Sequence, residues 1–178
     1  MTEGLTPKFQ EHVPEGDDRL RRVCSHCSFI DYENPKIVAG SVVTSGDKIL
    51  LCKRAIEPRR GFWTLPAGYM EKGETIEEAA AREAREEACA QIEIDRVLAM
   101  YTVARIGQVQ IMFRAKLVSD IAPGPESLEV GLYDWKDIPW SQLAFPTVVW
   151  ALTQYAESRG SASFPPYANP PGADDLIR

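Results

Sequence analysis

Three glutamates in the middle of the chain have a spacing that suits the binding of a hard metal ion. Glu83, Glu86 and Glu87 are separated by three residues and by one, so an α-helix would bring their carboxylates to one sector of its surface. Neighbouring negative charges repel one another, which destabilises the helix and raises the pKa of each carboxyl group. A bound Mg²⁺ or Mn²⁺ removes this penalty because both ions prefer oxygen ligands. On spacing alone, a solvated acidic helix face explains the pattern better than a metal site does.

The segment around these glutamates has the clearest helical pattern in the chain. Thr75 and Glu78 stand in the T-x-x-E relation of a capping box, and a stretch rich in Ala, Glu and Arg follows to about Cys89. Arg82 lies one helical turn from both Glu78 and Glu86, so it can form an ion pair with either. The pattern predicts one helix that begins near Thr75 and carries the acidic face.

The run GYMEKGETIEEAAAREAREEACA, which starts at Gly68, resembles the Nudix box G-x5-E-x7-R-E-U-x-E-E-x-G-U, where U is a bulky aliphatic residue. The fixed positions are matched by Gly68, Glu74, Arg82, Glu83, Glu86 and Glu87. The chain departs from the box at its second glycine, which is Cys89, and at two aliphatic positions, which are Ala84 and Ala90. The resemblance implies an α/β/α sandwich in which a loop–helix–loop holds Mg²⁺ or Mn²⁺.

The resemblance also assigns roles to the box residues. Glu83 and Glu87 would be the principal metal ligands and Glu86 a further one, with the carbonyl group of Gly68 as an additional ligand. Arg82 would orient the glutamates through an ion pair.

A pyrophosphate is a doubly anionic electrophile. Its hydrolysis therefore needs cations that screen it and a carboxylate that accepts a proton from the attacking water. Family members take this base either from the box, where Glu86 is the candidate, or from a later loop. Glu126 and Glu129 are the loop candidates here, and Glu129 is preferred, although it can equally be an exposed loop acid.

Segments outside the box resemble a Nudix subgroup that includes plant chloroplast FAD pyrophosphatases and bacterial relatives. They lie between residues 14 and 157 and read VCSHC, YENPKIVAG, ILLCKR, GFWTLPAGYME, APGPESLE and LAFPTV. The resemblance implies cleavage of the pyrophosphate bond of FAD, ADP-ribose or an NADH-like compound into AMP and a phosphorylated partner. The chain lacks the SQPWPFPxS element of NADH pyrophosphatases and the proline that ADP-ribose-specific members carry after the box, so the substrate stays open within this class.

Basic and aromatic residues around the box are candidates for contacts with such a substrate. Lys53 and Arg54 can bind phosphate groups. Trp63 and Tyr69 can stack on a base or a flavin. For Trp63, packing in the core is the favoured alternative.

A single C-x-x-C motif, formed by Cys24 and Cys27, resembles half of a zinc ribbon. In the resembling subgroup a second pair of cysteines precedes it by about twenty residues and completes a tetrahedral Zn²⁺ site, whereas residues 1–23 contain no cysteine. His12 is a candidate for a third ligand. Because a closed zinc site needs four ligands, a truncated knuckle is favoured over bound zinc.

The remaining sequence supplies the elements that must position these residues. We expect an N-terminal arm with the C-x-x-C knuckle over residues 1–35, of which residues 1–23 are extended or partly ordered, and a Nudix domain over residues 36–160. A Pro-rich tail over residues 161–178 is expected to be disordered or docked on a partner surface. Strands are predicted at Ile37–Thr44, Lys48–Arg54, Ile92–Ala104, Gln108–Leu117 and Leu132–Trp135, and a second helix at Thr147–Arg159. This order predicts a mixed β-sheet between helices.

Composition excludes several classes of protein. With 20 Lys and Arg residues against 26 Asp and Glu, the net charge is −6, which disfavours a nucleic-acid partner. No apolar stretch is long enough to span a membrane, and the polar N-terminal segment resembles neither a signal nor a transit peptide. We therefore expect a cytoplasmic protein, and the resemblance implies a homodimer.

Two other functions stay open at this level. A Nudix-fold sensor binds an ADP-ribose-like ligand without cleaving it, but such proteins typically lose box glutamates that this chain retains. A nucleic-acid-binding module built on the knuckle is disfavoured by the acidic charge and by the incomplete cysteine set.

Overall fold

The computed structural model describes residues 7–173, and the chain divides after Pro35 into two compact units. The first unit is a three-stranded antiparallel sheet in the order β1 (Phe9–His12), β2 (Arg21–Cys24), β3 (Ile30–Asp31). The expectation of an extended or partly ordered arm over residues 1–23 is therefore wrong for the part described. All four side chains of β1 are exposed and β3 has only two residues, so these strands lack the apolar alternation that predicts a strand.

The second unit is built on a mixed sheet of seven strands. They are β4 (Lys36–Ser45), β5 (Lys48–Arg54), β6 (Trp63–Thr64), β7 (Ala67–Tyr69), β8 (Ile92–Val103), β9 (Gln108–Leu117) and β10 (Ser127–Tyr133). The order is β10-β5-β4-β9-β8, with β6 paired to β5 and β7 paired to β4. Only β4 and β9 run parallel; the other pairs are antiparallel.

Two helices, α1 (Ile76–Ala88) and α2 (Pro146–Ser158), cover the two faces of this sheet. Val42 packs in the cluster that contains the buried face of α2, whereas Val43 packs in the cluster that contains alanines of α1. Since successive side chains of a strand point to opposite faces, the helices lie on opposite sides of β4. The predicted α/β/α sandwich is confirmed.

The helix α1 begins and ends much as the sequence predicts. Thr75 and Glu78 form the complete capping box: Glu78 N–H donates to Thr75 Oγ1 at 3.2 Å and Thr75 N–H donates to Glu78 Oε2 at 2.7 Å. The helix stops at Cys89, which adopts the left-handed conformation with φ 50°. Its buried alanines, Ala79, Ala80, Ala84 and Ala88, let the helix approach the sheet closely.

Some boundaries differ from the prediction. The last strand, β10, starts at Ser127 and ends at Tyr133, whereas the pattern placed residues 119–127 in a loop and the strand at Leu132–Trp135. The shift arises because β10 is half-exposed at the sheet edge and pairs with β5 only, so little of it carries an apolar pattern.

Over the part described, the C-terminal tail is ordered and packs on the sheet of its own chain. The expectation of a tail that is disordered or docked on a partner is therefore wrong for this part. Met100 N–H donates to the carbonyl of Tyr167 at 2.9 Å, and Tyr167 N–H donates to Leu98 at 2.9 Å. Residues 161–173 thus belong to the second unit, and residues 174–178 lie outside the described part. Within residues 7–173, no helix combines the length and the apolar character needed to cross a bilayer.

Candidate active site

Gly68 brings the strand β7 against the acidic face of α1. It pairs with Ala39 in the sheet, and a Cβ atom added to it would overlap with the carboxylate of Glu83. Only glycine allows this approach. The first fixed position of the box thus places the backbone of β7 directly beside a helix carboxylate.

Arg82 ties the loop before α1 to the helix. Its Nε and Nη2 atoms donate to the two carboxylate oxygens of Glu74 at 3.0 and 2.8 Å, and Nη2 also donates to the carbonyl of Tyr69 at 2.9 Å. This forked pair lowers the pKa of Glu74 to about 2, helped by the backbone N–H of Glu71. Of its two possible partners on the helix, Arg82 pairs with Glu86, because Glu78 is used in the capping box.

The same guanidinium group holds two of the three helix glutamates. Arg82 Nη1 lies 2.6 Å from Glu83 Oε1 and 3.1 Å from Glu86 Oε2. Burial raises the pKa of Glu83 although Arg82 acts against it. Glu86 stays 54% exposed, so it lies at the open side of the face.

Glu87 is the most unusual group of the site. It is buried, and its Oε2 atom has no hydrogen-bond partner. Burial first, and then the charge of Glu83, raise its pKa to about 8. Burial with one oxygen unpaired destabilises the charged form of the carboxylate, and a nearby cation would offset this cost.

The donor set fits a hard divalent cation. Among the described residues, no three Cys, His, Asp or Glu side chains already surround a common point, because Glu83 and Glu86 are turned to Arg82. They nevertheless share one helix face with Glu87, whose free oxygen faces no donor. Carboxylate oxygens of this kind are the ligands that Mg²⁺ and Mn²⁺ prefer.

Of the two loop glutamates, Glu126 acts on this face and Glu129 does not. The charge of Glu126 contributes to the raised pKa of both Glu83 and Glu87. Glu129 lies on β10, where its Oε2 atom forms an exposed ion pair with Lys53 at 3.4 Å. From the sequence, Glu129 is the preferred candidate for the general base. Because Glu129 is paired with Lys53 and Glu126 acts on the helix glutamates, Glu126 becomes the better candidate.

The two basic candidates differ in their relation to the carboxylates. The charge of Arg54 lowers the pKa of Glu87, so Arg54 lies within electrostatic reach of the acidic face. Its guanidinium group stacks 5.2 Å from the ring of Phe145 and donates to the carbonyl of Pro58 at 2.9 Å. Lys53 is engaged by Glu129.

The two aromatic candidates differ in their exposure to solvent. Trp63 is 5% exposed and packs edge-to-face on Tyr133 with the ring centroids 5.1 Å apart, so it packs in the core, as the sequence favours, and is not placed for contact with a substrate. Tyr69 is 50% exposed. Its ring lies 5.2 Å from Lys36 Nζ, and its hydroxyl oxygen accepts a hydrogen bond from Gln108 at 2.9 Å.

Sequence patterns gave no sign of three further neighbours of the site. Gln108 reaches Tyr69 from β9. Cys52 on β5 is buried beside Glu87 and Ser127, and burial together with the charge of Glu87 raises the pKa of its thiol. These residues come together through strand pairing, and no local motif could have identified them.

In the first unit, Cys24 is buried and Cys27 is exposed. The backbone N–H groups of His26 and Cys27 point at the Cys24 sulfur and lower its pKa. Within residues 7–173, no third ligand joins this pair.

Two family models match the chain. A model described as the NUDIX domain covers residues 34–150, and a zinc-ribbon model described as Nudix N-terminal covers residues 7–33.

Known proteins agree with these matches. The chain is 30% identical to an ADP-ribose pyrophosphatase of Methanocaldococcus jannaschii over 119 residues, 64% of this chain and 69% of that protein. It is 30% identical to the NAD-capped RNA hydrolase NudC of Photobacterium profundum over 118 residues, 66% of this chain but only 44% of that protein. The crystal structure of a NUDIX hydrolase from Nitrosomonas europaea superposes with a TM-score of 0.87 at 44% identity and covers 93% of this chain and 96% of that one.

Proposed function

Because the chain belongs to the Nudix family of hydrolases, we propose that it cleaves the pyrophosphate bond of a nucleoside diphosphate linked to a second moiety. ADP-ribose, FAD and NADH are the candidate substrates, and AMP and a phosphorylated partner are the products. The names of two relatives, an ADP-ribose pyrophosphatase and an NAD-capped RNA hydrolase, support this class. FAD rests on the resemblance of the segments outside the box.

The observation that carries the proposal is the buried carboxylate of Glu87 beside Glu83 on the face of α1, of which the Oε2 atom has no hydrogen-bond partner. We propose that Glu83, Glu86 and Glu87, with the Gly68 carbonyl, hold Mg²⁺ or Mn²⁺. Such an ion, when bound, screens the pyrophosphate charge and lowers the pKa of a water molecule.

The chain's own residues have three tasks around the substrate. Arg82 keeps Glu83 and Glu86 in position through its contacts to both. Arg54, whose charge acts on Glu87, is suited to bind a phosphate oxygen. The half-exposed ring of Tyr69 is suited to stack on a base or flavin.

We propose Glu126 as the general base. It lies within electrostatic range of both buried glutamates, whereas Glu129 is engaged by Lys53. Glu86 is the alternative, because it is the exposed member of the helix face.

The test is a panel of FAD, NADH, ADP-ribose, diadenosine polyphosphates and nucleoside triphosphates with Mg²⁺ or Mn²⁺, with the products identified by mass. We expect AMP from at least one nucleoside-diphosphate-linked compound. Glu86→Gln and Glu87→Gln should reduce kcat/KM by at least a hundredfold and leave the fold intact, since removing a metal ligand costs several kcal/mol of barrier stabilisation. Glu77→Gln, an exposed change in the first turn of the same helix, is the matched control.

Full activity of both Glu86→Gln and Glu87→Gln would contradict the assignment of this face. Binding of ADP-ribose by calorimetry without any product would instead indicate a sensor. The homodimer and the cytoplasmic location stay predictions, and light scattering of the purified chain tests the first.

A further inference from the structure

The N-terminal unit matches a zinc-ribbon model over residues 7–33, but its residues do not fit a zinc site. Of the four cysteines, only Cys24 and Cys27 lie in this unit. The second pair is absent from residues 1–23, where the ribbon pattern requires it. Two thiolates make half of the closed, four-ligand site that structural zinc needs.

The histidines do not complete the set. In the register of β1 and β2, Phe9 lies opposite Cys24, whereas His12 lies opposite Arg21. His12 is therefore three residue pairs, roughly 10 Å, further along the sheet. His26 lies inside the exposed turn between the cysteines, and the described residues contain no cluster of three potential ligands.

We propose that this ribbon is held together without zinc, and that one serine and two arginines make the cross-links that the metal makes in a zinc ribbon. In a four-cysteine ribbon, zinc joins the N-terminal segment to the C-x-x-C turn. Here Ser25, inside that turn, makes the connection: its backbone N–H and its hydroxyl group both donate to the carbonyl of Lys8, at 2.9 and 3.1 Å.

Arg21 makes the second connection. Its Nε atom donates to Asp17 Oδ2 at 2.8 Å, and both side chains are partly buried. The other face of the guanidinium group lies 5.1 Å from the ring of Tyr32, just after β3. Arg21 therefore joins the loop before β2 to the segment after β3.

Arg22 makes the third connection on the same strand. Its guanidinium group stacks 4.9 Å from the ring of Phe9 on β1 and forms an ion pair with Asp31 on β3 at 3.3 Å. Each arginine of β2 thus contacts two other segments, as a tetrahedral ion would. Arginine suits this task because its planar group stacks on rings and forms ion pairs at once.

Direct metal analysis of the full chain tests the proposal. We expect less than one zinc ion per ten chains after purification and after incubation with Zn²⁺ followed by desalting. Cys27 is exposed, so it should react with a thiol reagent such as DTNB at the same rate with and without EDTA. One zinc per chain, half a zinc per chain with a doubled mass, or thiols that react only after chelation would each overturn the proposal.

Hydrogen exchange of the intact chain tests the replacement contacts. Arg21→Met keeps the apolar stem and removes the ion pair and the stacking, and we expect amides of β2 to exchange at least tenfold faster. Arg19→Met is the control, because the Arg19–Asp18 pair is 76% and 88% exposed. Cys27→Ser should leave exchange unchanged. Faster exchange in Cys27→Ser, or equal exchange in Arg21→Met and Arg19→Met, would overturn the proposal.

Discussion

The carboxyl group of Glu87 is buried and one of its oxygens has no hydrogen-bond partner. Without a metal ion, this environment destabilises its charged form. The neighbouring charges act on its pKa in opposite directions. Glu83 and Glu126 push its pKa upward and Arg54 pulls it downward, so no local side chain neutralises it fully. A hard cation bound beside Glu87 would favour its charged form, because the attraction offsets the cost of burial.

The choice of base can be resolved by comparing two glutamates that lie three residues apart. Glu126→Gln should lower kcat by about a hundredfold or more with little change in KM, because a general base contributes about that factor. Glu129→Gln should change kcat less than threefold, since it loses only the exposed ion pair with Lys53. Steady-state kinetics on the best substrate of the panel gives both values. The reverse ranking would restore Glu129, and two active variants would point to Glu86.

Cys89 is a second residue whose environment makes a prediction. It occupies the position of the second box glycine, and its φ of 50° is in the left-handed region that favours glycine. It is exposed, whereas Cys52 is buried.

Cys89→Gly should stabilise the chain by roughly 0.5–1 kcal/mol, because glycine adopts this conformation without the steric cost of a Cβ atom. Urea denaturation followed by circular dichroism measures the difference. Cys89→Ala, which removes the thiol and keeps the Cβ atom, is the matched control and should be close to neutral. A stabilised Cys89→Ala would show that the thiol, and not the backbone, carries the cost.

At the scale of elements, contacts at both ends of α1 hold the helix in place, and these contacts position the glutamates of the candidate active site. The capping box and the Arg82–Glu74 pair fix the start. At the other end the loop after β9 packs onto the last turn: Gly124 N–H donates to the carbonyl of Glu87, and Ala122 N–H donates to that of Ala88, both at 3.0 Å. The same loop continues to Glu126, so helix and loop are positioned as one piece.

Gly124→Ala should disturb this contact. A Cβ atom at residue 124 would overlap with the carbonyl oxygen of Glu86, so the loop or the helix end must move. We expect a loss of about 1–3 kcal/mol of stability, as for other overpacked sites, and a fall of kcat, because Glu86 and Glu87, the proposed metal ligands, shift. Urea denaturation measures the loss of stability, and steady-state kinetics measures the fall of kcat.

Gly131→Ala is the control for this variant. The three atoms nearest to a Cβ atom there belong to the side chain of Tyr133, at 2.9 Å or more, and none is a backbone atom, so a smaller loss is expected. If Gly124→Ala matched it in stability and kcat, the loop would not position the helix.

For the whole molecule, the notable feature is how the sheet ends. β8 is the last strand on one side, and an open edge strand invites pairing with other chains. The tail covers it. Beside the backbone bonds of Tyr167, the side chain of Asn169 donates to the carbonyl of Thr102 and accepts from its N–H, both at 2.9 Å, as a neighbouring strand would.

Asn169→Ala should therefore loosen the tail. Loss of these two hydrogen bonds should lower the free energy of unfolding by about 1–3 kcal/mol and speed exchange of the Thr102 amide. Denaturation and hydrogen-exchange mass spectrometry measure the two effects. Ser163→Ala, an exposed change in the same tail, should have neither. An unchanged Asn169→Ala would mean that Phe164 and Tyr167, which pack against the core, hold the tail alone.

By itself the sequence determined the features that depend on short spacing. The capping box, the acidic face of α1 and the strands β4 and β5 follow from residues a few positions apart, because local hydrogen bonds and helix or strand periodicity are encoded locally. The sandwich class followed from the family resemblance and the order of these elements. The family followed from the same stretch.

Tertiary structure decided what depends on distant segments meeting. The proximity of Glu126 to Glu83 and Glu87, the burial of Trp63, the position of the tail on β8 and the contacts of Arg21 and Arg22 in the ribbon each join residues from different strands or loops. Strand register and burial are set by the packing of the whole sheet. A side chain's role as a base, a core residue or a cross-link was therefore fixed only when its neighbours from elsewhere in the chain were in place.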